Sequence, residues 1–172
     1  MLRAAGSLLT ILSSALIGLS FAGRLEDSYR ELLYLRRLLL SLQGEIRYSR
    51  SILSQIFLDL SDKEKEPYAS WLKEMGERIG QREHGQFSGI WESGIGKHLI
   101  GSGIPEIELE RLAELGRQLG EADMEIQMEH LNRYQEQLSV SIRDMREEIR
   151  VKQRIYRCLG IAGGIFLVIL LV

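Results

Sequence analysis

"LEDSYRELLYLRRLLLSLQGEI", residues 25–46, places apolar side chains at Leu25, Tyr29, Leu32, Leu35, Leu39, Leu42 and Ile46. Steps of three and four residues put them on one face of an α-helix. Leu33, Leu38 and Leu40 widen the stripe, so this helix is expected to touch neighbours on more than one side. The helical period runs directly out of an apolar stretch before it, "AAGSLLTILSSALIGLSFAG" at 4–23, which holds twenty consecutive uncharged residues. At helical rise that is roughly 30 Å, the thickness of a bilayer core. A second apolar run, "CLGIAGGIFLVILLV" at 158–172, has fifteen residues. It is short for a full crossing and calls for local thinning or snorkelling of its flanks.

Charge is distributed accordingly. The chain of 172 residues has 22 basic and 24 acidic side chains, a balance that excludes a general bias toward nucleic acid. Arg3 is the only charge before Arg24 and none follows Arg157, so a charged middle lies between two apolar ends. "SFA" at 20–22 resembles a signal-peptide cleavage site. The arginines argue otherwise: Arg24, Arg30, Arg36 and Arg37 follow the first run, and Arg143, Arg146, Arg150, Lys152, Arg154 and Arg157 precede the second. By the positive-inside rule the expectation is a two-span hairpin with the middle in the cytoplasm and both termini outside. Its parts are a transmembrane helix at 1–23, a helical domain at 24–157 and a transmembrane helix at 158–172. Small residues at helical spacing, Ser14, Gly18 and Ala22 in one span and Gly160 and Gly164 in the other, suit close packing of the spans. Cys158 has no partner for an intrachain disulfide, which fits a middle facing a reducing compartment.

The rest of the middle also reads as helix. Ser51 is positioned to cap a short helix reaching Leu60. Pro67 suits the first position of the next, whose stripe is Tyr68, Trp71, Leu72, Met75 and Ile79. Seven glycines lie in 80–103, yet "GIGKH" lacks the preceding strand and the following Ser or Thr of a phosphate loop. Phe87, Ile90, Trp91, Ile95 and Leu99 keep helical spacing, so a glycine-diluted helix is expected there. A fifth helix opens at Pro105, carries Glu106 and Glu108 in its first turn and closes near Gly120. The last starts at Asp123 with a seam of Met124, Met128, Leu131, Leu138, Ile142, Met145, Ile149 and Tyr156, interrupted by Gln135 and Lys152. That seam can pair with the helix leaving the first span. No segment shows strand alternation. The fold class is all-α, a six-helix bundle whose first and last helices continue into the membrane.

Site chemistry is sparse. His84, His98 and His130 are scattered, with no metal-binding spacing and no nucleophile motif. Neither a catalytic residue, a metal nor a cofactor is expected. One polar row stands out: Asp123, Gln127 and His130 share a helix face within "LGRQLGEADMEIQMEH", residues 115–130. A metal site there would need glutamine as a ligand and a further donor. A structural corner accounts for it better than a direct contact face, the other reading of these residues: Gly120 ends one helix, Asp123 caps the next, and Gln127 and His130 fix how the two pack.

Two blocks carry a family resemblance. In "LLLSLQGEIRYSRSIL", residues 38–53, Leu39, Leu42, Glu45, Ile46, Tyr48 and Leu53 match the pattern of the stage III sporulation protein AB family. In the 115–130 stretch, Leu112 just before it, then Gly116, Leu119, Gly120, Asp123, Gln127, His130 and Leu131, fall at that family's spacing. Ile52 departs from it, since the family usually carries proline there, and a sharp break between the first two helices is then not demanded. The family is similar in turn to the F-type platform protein of type II secretion systems. The resemblance implies a non-catalytic platform of a sporulation channel, in the mother-cell membrane facing the forespore. It would engage the ATPase encoded in the same operon and anchor other membrane proteins of the channel. A platform predicts oligomers, a homo-oligomer among them. The competing class is a signal- or ligand-sensing two-span regulator. Arg36, Arg37 and Arg47, clustered at helical spacing, are candidates for an acidic partner surface or for anionic lipid.

Overall fold

The computed structural model describes the backbone of residues 2–48, 52–81, 87–119 and 124–171, with side chains at 23–48, 52–81, 87–119, 125–155 and 158. Six helices follow in order: α1 Leu2–Tyr48, α2 Leu53–Ser61, α3 Tyr68–Gly80, α4 Phe87–Gly94, α5 Glu106–Leu119 and α6 Met124–Leu171. A π-helical turn, Ile95–Leu99, extends α4. Among the described residues there is no strand. The fold is all-α, as expected.

Two compact units emerge. One is Arg30–Ser141; the other comprises Met1–Tyr29 and Ile142–Val172. The boundaries fall inside α1 and α6. Where side chains are described, no helix is long and apolar enough to cross a membrane. The expected spans at 4–23 and 158–172 lie outside those residues except for Gly23 and Cys158.

Within the unit 30–141 the stripes find each other. Leu32, Leu35, Leu38, Leu39 and Leu42 of α1 are buried, whereas Leu33 and Leu40 are half-exposed. The widened stripe therefore closes on Leu38's side only. Tyr68, Trp71, Leu72 and Met75 of α3 are fully buried. Gly76 lets α2 and α3 approach until an added Cβ would stand 2.9 Å from the Ser54 carbonyl oxygen. Trp71 and Trp91 meet edge to face at 4.8 Å, and Phe57 and Phe87 flank Trp91 at 6.3 and 5.6 Å. Such pairs add specific geometry to their burial. After Gly94 the helix widens by one residue per turn, which keeps Trp91, Ile95 and Leu99 buried along one side.

Helix starts differ slightly from expectation. Ile52, not Ser51, occupies the N-cap position of α2, without a side-chain cap. Its φ of −68° and ψ of 150° are angles that proline adopts, so a chain break forms without the proline. Pro67 sits one position earlier than expected, at the N-cap of α3, after a cis peptide bond. The loop between α2 and α3 is fastened to α1. Lys65 Nζ donates to Glu31 at 2.6 Å, Tyr68 Oη donates to Glu31 at 2.9 Å, and Tyr34 Oη donates to Glu64.

α1 and α6 meet through polar groups where the seam is interrupted. Gln135 is buried and donates to Gln43 at 3.0 Å; Gln43 in turn donates to Asn132 at 2.7 Å. A glutamine on an apolar seam is tolerated because its amide is matched by another.

Candidate functional site

The corner between α5 and α6 is built from small and polar residues. Gly116 lies under the Trp91 indole, and a Cβ there would stand 2.1 Å from Trp91 Cδ1. No side chain fits that gap, so glycine is required for α4 to rest on α5. Trp91 Nε1 completes the contact by donating to the Leu112 carbonyl at 2.8 Å. At the end of α5, Gln127 Nε2 donates to the Leu119 carbonyl at 2.9 Å. That carbonyl belongs to the last turn of a helix, where the helix itself supplies no partner. The start of α6 is thereby tied to the end of α5. Gly120 and Asp123 lie outside the described residues, and the cap expected of Asp123 lies there with them.

His130 is half-exposed and faces a groove between α5 and α6, lined by Arg111, Glu114, Leu115, Gln118, His130, Arg133, Tyr134 and Gln137. Two arginines, a histidine and two glutamines present hydrogen-bond donors around an apolar floor. Glu114 is engaged by Arg117, whose guanidinium holds its carboxyl below the usual range. Arg133 has no ion pair or side-chain hydrogen bond among the described residues. The groove therefore suits an acidic side chain from another protein.

Beneath the groove is a residue that the sequence did not single out as special. Glu108 shares the first turn of α5 with Glu106, but Glu106 is exposed and Glu108 is 1% exposed. Its Oε1 accepts from Arg111 Nη1 at 2.5 Å and Ser141 Oγ at 2.7 Å, while Oε2 is buried without a partner. Tyr134 Oη donates to the Glu108 carbonyl at 3.4 Å. Burial, and then the Glu108 charge, push the Tyr134 hydroxyl far above its ordinary titration range. The available signal was positional: 108, 112, 115 and 119 form one helical stripe, so Glu108 occupies a core position of α5. The carboxylate holds Arg111 at the rim of the groove.

The three candidate arginines of α1, Arg36, Arg37 and Arg47, separate. Arg37 pairs with Glu64 at 3.5 Å and lies 4.5 Å over the Tyr34 ring, so it helps to fasten the α2–α3 loop. Arg36 is exposed. Arg47 is exposed, lies 5.5 Å from the Tyr48 ring and borders a second groove with Gln43, Glu125, Met128, Glu129 and Asn132. Gly18, Gly160 and Gly164 are helical, and their surroundings lie outside the described side chains. Among the described residues no three His, Cys, Asp or Glu side chains are grouped to hold a metal ion.

The family model for stage III sporulation protein AB matches residues 3–172. The chain belongs to the stage III sporulation protein AB family. As a member it is a component of a sporulation complex, in a family of structural proteins and not of known enzymes. A solved stage III sporulation protein AB is similar in fold, with a TM-score of 0.65 and 21% identity, over 72% of this chain and 97% of that one. No curated protein matches the chain.

Proposed function

We propose that this stage III sporulation protein AB homologue is a non-catalytic, two-span membrane platform, with helices 1–23 and 158–172 as anchors and the domain 24–157 on the mother-cell cytoplasmic side. Its helical unit docks the ATPase of the sporulation channel, and its spans hold other membrane proteins of that channel. One observation carries this reading. The compact unit 30–141 begins inside α1 and ends inside α6, and each of these helices also contains an apolar run, 4–23 in α1 and most of 158–172 in α6. Whatever binds the unit is then tethered through two anchors. Family membership and the arginine asymmetry around both runs support it further.

The docking surface is the α5–α6 groove, where Arg133, Arg111 and His130 face outward over a floor fixed by Glu108. The test is co-purification of the full-length chain in detergent with the ATPase encoded in the same operon. Binding is expected for the native chain and is lost on Arg133→Glu with Gln137→Glu. Unchanged binding by that variant would move the ATPase off this groove, and no binding by the native chain at low salt would count against the platform itself.

A further inference from the structure

α1 and α6 each carry a second row of side chains, turned away from the core stripe. On α1, Leu33, Arg36, Leu40, Gly44 and Arg47 follow steps of three and four and so share a face. Leu33 is 39% and Leu40 47% exposed, both arginines are exposed, and a Cβ on Gly44 would meet nothing within 4 Å. On α6, Glu125, Glu129, Asn132, Glu136 and Val140 also follow such steps, all exposed, with Val140 at 50%. The two rows adjoin, since Gln43 and Arg47 line one shallow groove with Glu125, Glu129 and Asn132.

The face is thus basic along one helix and acidic along the other, with Leu33, Leu40 and Val140 as its apolar content. Its charges are largely idle. Arg36, Glu125, Glu129 and Glu136 make no side-chain hydrogen bond or ion pair among the described residues. Arg47 only rests near the ring of its neighbour Tyr48.

We propose that this face binds the same face of a second copy of the chain, about a two-fold axis parallel to α1 and α6. The two helices are antiparallel: Gln43 reaches Asn132 and Gln135, while Arg47, one turn later, shares its groove with Glu125 and Glu129, one turn earlier. Such an axis lays α1 of one copy over α6 of the other, and does so twice, because a two-fold interface uses one self-complementary patch. Each basic row then covers an acidic row. Arg47 comes level with Glu129 of the second copy, and Leu40 comes level with the turn holding Glu136 and Val140. A partner or lipid surface of one sign would match only half of the face and be repelled by the other half. A second copy satisfies both halves.

The experiment uses the full-length chain in detergent micelles, with mass read by sedimentation or light scattering. A dimer is expected. Arg47→Glu and Glu129→Arg should each weaken it about tenfold, and the two together should restore it. With Cys158→Ser as background, Leu40→Cys plus Val140→Cys should trap the dimer by disulfide. Helical content by circular dichroism confirms that each variant is folded. A monomer at every concentration overturns the proposal. So do single reversals without effect, or a double reversal that does not restore the dimer. Reversals that spare the mass but abolish binding to the ATPase or to anionic vesicles also overturn it, and assign the face to that partner. No ATPase is needed to observe the dimer, so its failure leaves the docking groove of α5 and α6 untouched, and the reverse holds as well.

Discussion

Gly116 and Glu108 fix how α5 packs by opposite means, one by lacking a side chain and one by burying a charge. Gly116→Ala drives a methyl group into a fully buried Trp91 and breaks its bond to the Leu112 carbonyl. A loss of about 2–3 kcal/mol is expected, in the range of overpacked cores, measurable as a drop in the midpoint of denaturant unfolding. Glu108 makes a sharper test. Arg111→Ala removes a cation that is partly exposed but strands a carboxylate that is buried, so about 3 kcal/mol should be lost. Adding Glu108→Leu to the same chain should recover most of that loss, because a leucine at this stripe position has no charge to desolvate. The cycle fails as an explanation if the double variant is no more stable than Arg111→Ala alone. Gly116 was legible through the family spacing of its stretch, though not its reason, which is a tryptophan twenty-five residues away in sequence. Glu108 read as an ordinary acidic first turn. Only its place on the stripe 108, 112, 115 and 119 hinted that it faces inward.

Between elements, polar groups decide how stripes of similar shape are kept in register. Glu74 on α3 accepts from Lys97 Nζ at 2.7 Å, and its oxygen lies 2.7 Å from His98 Nε2, both on the π-helical turn. The hydrogen bonds from Lys97 and then His98 pull its carboxyl down from the ordinary 4.5 to about 2. A folded-state value below the unfolded one stabilises the native chain above pH 4.5, and that contribution fades as pH falls from 4.5 toward 2. Thermal melts of the native chain should lose stability through this window, and Glu74→Gln should be less stable at neutral pH but flatter in acid. Equal slopes for both chains would remove Glu74 as the source. The elements themselves were largely legible. The stripes of α1, α3 and α6 predicted their helices, Pro105 and Gly120 marked the ends expected for α5, and Trp71, Trp91 and Leu131 were placed on buried faces that are buried. The start of α2 was not, because Ile52 takes up a proline-like backbone that no isoleucine announces. Gln135 appeared as a flaw in the α6 seam; its match, Gln43, is 92 residues away.

At the scale of the whole molecule, the two apolar runs and their flanking arginines set the expected topology. With Cys158→Ser as background, a cysteine at exposed Glu77 should resist a membrane-impermeant maleimide in intact cells and react after permeabilisation. Labelling in intact cells would reverse the orientation. The sequence by itself determined the all-α class, the number of helices and the charged middle between apolar ends, because hydrophobic period and charge placement are local properties of a chain. Tertiary structure alone decided which polar groups are buried, which arginine is used up by Glu64 and which remain outside, and that α1 and α6 expose oppositely charged rows side by side. Those outcomes depend on which helix lies against which, and pairings between residues so far apart in the chain leave no periodic trace along it.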